Sequence, residues 1–128
     1  MTARIHTPAA TAATGETAEV FASIRKAVGM VPNAYAAIGA LNTSALKAML
    51  AADATLSHGT LSAQDRETIK LVVSANAGCD YCVAAHSLAG KASGMAADTI
   101  RLIRGLEPTG DDRRNALIRF IRVLVQSQ

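Results

Sequence analysis

The residues of this chain with most chemical capacity lie together in Ala77-Gly78-Cys79-Asp80-Tyr81-Cys82-Val83-Ala84-Ala85-His86. The stretch holds both cysteines, spaced C-x-x-C, and one of the three histidines. On a helix, Cys79, Cys82 and His86 fall at i, i+3 and i+7, so both sulfurs and the imidazole share one face. Cys79 lies at or next to the helix start, where unpaired N–H groups and the dipole favour an anion. A free thiol of pKa about 8.5 is roughly 3% thiolate at pH 7, and roughly three-quarters thiolate if its pKa falls to about 6.5. Part of that gain is lost because a less basic thiolate is also less nucleophilic. His86, one turn after Cys82, can take its proton or hold its thiolate as an ion pair. The same spacing lets the two sulfurs close a disulfide, one thiol attacking and the other resolving.

Other readings of the motif compete with the dithiol. A c-type haem site needs His directly after the second cysteine, and Val83 stands there. A thioredoxin-type site needs a βαβ setting, which the pattern does not offer. Zinc bound by Cys79, Cys82 and His86 would lack a fourth ligand, which only His6, His58 or a carboxylate could supply. Two inert thiols packed as small hydrophobes are the plain alternative. On the residues alone the redox dithiol leads, with the zinc and inert readings left open. Glu67 precedes Cys79 by twelve positions and shares a helix face with Leu71 and Ser74. Spacing alone favours reading it as a solvated charge paired with Lys70 or Arg66.

The elements that must carry these residues read as helices. Val20, Phe21, Ile24, Ala27 and Val28 follow the i, i+3/i+4, i+7 rule from Glu16, and Gly29 closes that helix. Pro32 restarts the chain into a short helix, Ala34 to Ala40. Asn42-Thr43-Ser44 is a cap cluster opening another, whose apolar face is Leu46, Met49, Leu50 and Ala54. Ser57 to Thr60 reads as a loop holding His58. Ser62 then caps a helix with Asp65 three residues on, and Gly78 interrupts it. The motif helix starts at Cys79 or Asp80 and runs to about Ser93, where Gly94 stops it. Helices from about Ala96 to Arg104 and Asp111 to Val125 follow, the last with Leu117, Ile118, Phe120, Ile121 and Leu124. Residues 1–15 read as a flexible arm, and 16–128 as one helical domain. The fold class is all-α, and no period-two strand occurs.

Composition narrows the function. In 128 residues there is no Trp, two Tyr and two Phe, with a net charge of +3. Scarce aromatics suit closely packed helices better than a β-sandwich. The charge is small and no basic run is interleaved with aromatics, so no nucleic-acid partner is expected. No run of about 18 apolar residues predicts a membrane span, and no secretory leader is evident. A cytoplasmic enzyme is the expectation. Two cysteines cannot make a disulfide scaffold for a domain of this size, so they need a local explanation.

The run Leu61-Ser62-Ala63-Gln64-Asp65-Arg66-Glu67 followed by LVVSANAGCDYCVAAH resembles the alkylhydroperoxidase D family, within the wider carboxymuconolactone decarboxylase-like superfamily. The family pattern is a glutamate, about a dozen residues, then C-x-x-C-x-x-x-H, matched here by Glu67, Cys79, Cys82 and His86. The resemblance extends from the helix of Val20 and Phe21 through Gly29-Met30-Val31-Pro32-Asn33 to about Glu107. It reverses the preference on Glu67. It implies an all-helical subunit of about six helices, assembled as a homotrimer or homohexamer. It further implies a peroxiredoxin-type peroxidase of organic hydroperoxides, recharged by a thiol donor or a lipoyl-bearing protein, with no cofactor beyond the cysteine pair. Carried over, Cys82 attacks the peroxide, Cys79 condenses with the sulfenic acid, and Glu67 with His86 relays the proton. The dipole argument favours Cys79 as the more acidic thiol; the family role of Cys82 is followed because His86 is one turn away.

Two departures from the pattern stand out. Tyr81 occupies a position where some members carry a second histidine, and the chain ends at Gln128 where many members continue with a further helical segment. An apolar face left by that segment makes an oligomer the expectation. A decarboxylase-like lyase of the same superfamily and a non-catalytic redox-sensing or metal-binding helical oligomer are the other functions considered. The lyase ranks low because that branch does not rely on C-x-x-C.

Overall fold

Capping side chains and left-handed turns divide the chain close to where the residue pattern places the breaks. The computed structural model describes residues 5–127; the first four residues of the expected arm, and position 128, lie outside them. The described residues form seven α-helices and one 3-10 turn, with no strand, against the about six helices expected. The all-α class holds. Contacts gather into two compact units that divide between Gly59 and Thr60.

The first unit contains the 3-10 turn Ala10–Ala12 and the helices α1 (Gly15–Val28), α2 (Asn33–Leu41) and α3 (Thr43–Ser57). Gly29 ends α1 in the left-handed region at φ 84°, its N–H bonded to the Arg25 carbonyl. Asn42 caps α3, its side chain accepting from the Ala45 N–H. Phe21, Ile24, Ala36 and Leu46 are buried together. Ala10 and Ala13, inside the stretch expected to be a loose arm, pack on this cluster. A Cβ at Gly39 would sit 2.6 Å from Cε1 of Phe21, so glycine is what lets the ring lie against α2. The stripe expected on α3 is buried only at Leu46, with Leu50 half-buried and Met49 and Ala54 exposed. The physical reason is that the apolar cluster reaches α3 only at Leu46 and Leu50; Met49 lies beside that line, and Ala54 lies on it but one turn beyond the cluster.

The second unit contains α4 (Ala63–Asn76), α5 (Asp80–Ala92), α6 (Ala97–Arg104) and α7 (Asp112–Gln126). Helix α4 packs against all three others. Its Leu71 and Val72 are fully buried against Met95, Ile100, Ile103, Ile118 and Ile121, each such side chain contributing about 1.5–3 kcal/mol. Gly90 of α5 lies so near α6 that a Cβ there would meet Ile100 at 3.6 Å. Ser62 and Asp65 form a complete capping box at the α4 start. Asp65 is also held by Arg113 of α7 through two bonds of 2.7 and 3.1 Å. On α7 the core line is Ile118 and Ile121, while Phe120 and Leu124 of the expected stripe are exposed, because they fall on the adjoining i, i+4 line. Among the described residues no helix is long and apolar enough to cross a membrane.

Candidate functional site

The turn between α4 and α5 sets the positions of both cysteines. Gly78 adopts φ 64°. Its N–H donates to the Ala75 carbonyl at 3.2 Å, and the Cys79 N–H donates to the Ser74 carbonyl at 3.0 Å. This pair of bonds is a Schellman closure of α4, and it delivers Cys79 directly as the first residue of the next helix cap. Only glycine takes that φ without strain, and space is not the constraint, since a Cβ at Gly78 would meet nothing within 4 Å. Cys79 is the N-cap of α5, and its Sγ accepts from the Cys82 N–H at 3.3 Å. The sulfur thus fills the place that a Ser or Asp oxygen usually takes at a helix start. Cys79 and Cys82 are joined as a disulfide, with Cα atoms 5.3 Å apart. Both are partly accessible to solvent.

Glu67 and His86 come together from two helices. Glu67 is in the second turn of α4 and His86 in the second turn of α5, and Oε2 of the carboxylate lies 3.0 Å from Nδ1 of the imidazole. The other carboxylate oxygen, Oε1, lies 3.4 Å from Nζ of Lys70. The Glu67 side chain is only 13% exposed, against 31% for His86. Burial pushes the Glu67 carboxyl up, but the His86 hydrogen bond and the Lys70 charge outweigh it and leave it below its ordinary value. Glu67 is therefore an anion at neutral pH. A carboxylate can only accept, so the Nδ1–H of His86 donates to it and fixes the tautomer, leaving Nε2 of the neutral ring as a proton acceptor. His86 also lies one helical turn after Cys82.

One carboxylate thus makes both the local pair with Lys70 and a bond to His86, and it is not the solvated charge that spacing alone suggests. Arg66, the other local partner considered, donates instead to the Leu61 carbonyl at 2.7 Å. Tyr81 is 47% exposed in the first turn of α5. His58 is the exposed C-cap of α3 and His6 is exposed; both belong to the first unit. Among the described residues no group of three or more His, Cys, Asp or Glu side chains is placed to hold a metal ion.

A feature that pattern reading missed lies beside the disulfide. An open cleft of about 490 Å³ is lined by Ala75 and Gly78 from the end of α4, and Asp80 and Val83 from the start of α5. Arg101, Arg104, Gly105 and Glu107, at and just after the end of α6, complete it. The only local signal was a pair of arginines in the last turn of a helix, which reads as ordinary dipole complementation.

A family model described as "Carboxymuconolactone decarboxylase family" matches residues 43–122 of the chain. The matched span runs from the start of α3 into α7 and contains Glu67, Cys79, Cys82 and His86. No curated protein and no solved structure matches the chain.

Proposed function

The chain belongs to the carboxymuconolactone decarboxylase family, and from that premise we propose that it is a thiol-dependent peroxidase, reducing organic hydroperoxides through the Cys79–Cys82 dithiol. The observation that carries the reading is the disulfide at the start of α5, with the Glu67–His86 hydrogen bond one turn further along. A lyase has no use for a dithiol, and inert thiols have no use for a half-buried carboxylate that orients the neighbouring imidazole.

In the reduced protein, His86 takes the Cys82 proton at Nε2 while Glu67 stabilises the resulting charge through Nδ1–H. The Cys82 thiolate attacks the terminal peroxide oxygen. The O–O bond breaks, the alkoxide leaves as an alcohol with the proton returned by His86, and Cys82 becomes a sulfenic acid. Cys79 then gives up its proton and, as a thiolate stabilised at the helix cap by the Cys82 N–H, attacks Cys82 Sγ; the expelled hydroxide takes that proton and leaves as water. The disulfide is recharged by two electrons from an external thiol or a lipoyl-bearing protein. Under this proposal no further cofactor is used. Exposed Phe120, Val123 and Leu124 on α7 support self-association, and light scattering after size exclusion tests for the homotrimer or homohexamer that the resemblance implies.

The deciding experiment is a thiol count on the reduced protein before and after tert-butyl or cumene hydroperoxide. Two free thiols should fall to none, and Cys82→Ser should abolish the loss. Survival of both thiols in a large excess of hydroperoxide ends the proposal.

A further inference from the structure

The cleft beside the disulfide has the size of a small-molecule site, which runs to roughly 300–1,000 Å³, and one end of it is the motif itself. Gly78 and Asp80, the chain neighbours of Cys79, both line it, and so does Val83, which follows Cys79 at i+4 on the same helix face. Neither sulfur is itself among the lining groups; Cys79 has a lining residue on both sides in the chain, and Cys82, one turn from His86, on one side only, so Cys79 is the sulfur assigned to the donor.

The charges around the cleft are matched in a particular way. Arg101 is held by Asp98 at 3.4 Å and by Glu107 at 3.5 Å, which leaves Glu107 and Arg101 largely satisfied by each other. Arg104 and Asp80 also line the cleft, and among the described residues neither makes an ion pair. One unpaired cation and one unpaired anion border a space that opens beside a disulfide. The species that must reach an oxidised dithiol is its reductant.

We propose that this cleft binds a small zwitterionic thiol, its carboxylate against Arg104 and its ammonium against Asp80, as the reductant of the disulfide. This inference rests on the redox reading of the dithiol and names the class of its electron donor. A first thiolate attacks Cys79 Sγ; the Cys79–Cys82 bond breaks, and its electron pair leaves on Cys82, which takes a proton from the His86 side. A second thiol attacks the donor sulfur of the mixed disulfide and releases Cys79 as a thiol. Two donor thiols become one donor disulfide, and the protein gains two electrons and two protons.

The test measures reduction of the oxidised full chain by acid quenching, alkylation and mass spectrometry. Glutathione and cysteine are compared with neutral 2-mercaptoethanol and dihydrolipoamide, anionic 3-mercaptopropionate and cationic cysteamine, each rate divided by that thiol's thiolate fraction. Two exposed ion pairs, each good for a factor of about two to five, predict that cysteine and glutathione, which both carry an ammonium and a carboxylate on one carbon, outpace 2-mercaptoethanol by roughly 4- to 25-fold. Arg104→Ala and Asp80→Asn should each remove one factor, and Arg104→Glu should move the preference toward cysteamine. Equal normalised rates across the series, a preference for the neutral dithiol, or a preference that survives Arg104→Glu overturns the proposal. Oxidation of the reduced wild-type chain by tert-butyl hydroperoxide, with no donor thiol present, is read separately. If that step fails while the thiol preference stands, the peroxidase reading falls and the cleft assignment remains.

Discussion

Replacing Glu67 by Gln tests the relay at the point where the structure is most specific. The side chain keeps its size, and its amide oxygen can still accept from Nδ1–H of His86, so the ring keeps its partner and tautomer. What is lost is the negative charge 3.0 Å from that nitrogen. A hydrogen bond to a charged group is worth about 1.5–3 kcal/mol and a neutral one about 0.5–1.5. The difference of about 1–2 kcal/mol is a factor of roughly 5 to 30. It should fall on the step in which His86 becomes cationic, namely removal of the Cys82 proton. The assay is rapid mixing of reduced protein with cumene hydroperoxide, quenched and counted for thiols, from about pH 6 to pH 8. His86 and Lys70 hold the Glu67 carboxyl below its ordinary value against the opposing push of burial, so it stays ionised over that whole window. The deficit of the variant is accordingly not a matter of carboxylate protonation anywhere in that window. A Glu67→Gln protein that reacts within about two-fold of wild type refutes the relay.

Three further outcomes concern the framework. Arg113 is the main reason the Asp65 carboxyl is lowered to about 2, against the opposing effect of burial, and the Ser62 capping bonds add to it. A depressed folded-state pKa adds stability above the unfolded value and loses it as pH falls from about 4 to about 2. Asp65→Asn should therefore cost about 1–2 kcal/mol at pH 7, allowing for screening of the exposed Arg113, and flatten denaturant stability across that acid window. Gly78→Ala forces a left-handed φ of 64° on a residue with open space around it, so its cost is about 1–2 kcal/mol of backbone strain in chemical denaturation. Gly39→Ala drives a methyl to within 2.6 Å of the Phe21 ring and should lower stability by about 1–3 kcal/mol through overpacking, with thermal melting as the check.

The helices were legible because their signals are local. Asn42 and Ser62 accept from backbone N–H groups three residues on, and Gly29, Gly78 and Gly94 sit in the left-handed turns that end α1, α4 and α5. The left-handed residue after α6 is Leu106, at φ 55°, and a leucine carries no such signal. Burial was read less well. A helix pattern marks which residues are apolar, but Phe120 and Ile121 differ only in whether a neighbouring helix reaches them.

For the site, the sequence by itself determined the four chemical residues and the geometry within α5. Cys79, Cys82 and His86 are close in the chain, and helical spacing alone relates them. It could not place Glu67 against His86, a contact across 19 residues and two helices, except through the family resemblance. Nor could it find the Asp65–Arg113 clamp, 48 residues apart, or the cleft where the ends of α4 and α6 meet the start of α5. Those depend on how α4 packs against its three neighbours, which is decided by the fit of Leu71 and Val72 among the isoleucines of α6 and α7. Periodicity along the chain fixes which way a side chain leaves its own helix. Only the packed core fixes what it meets there.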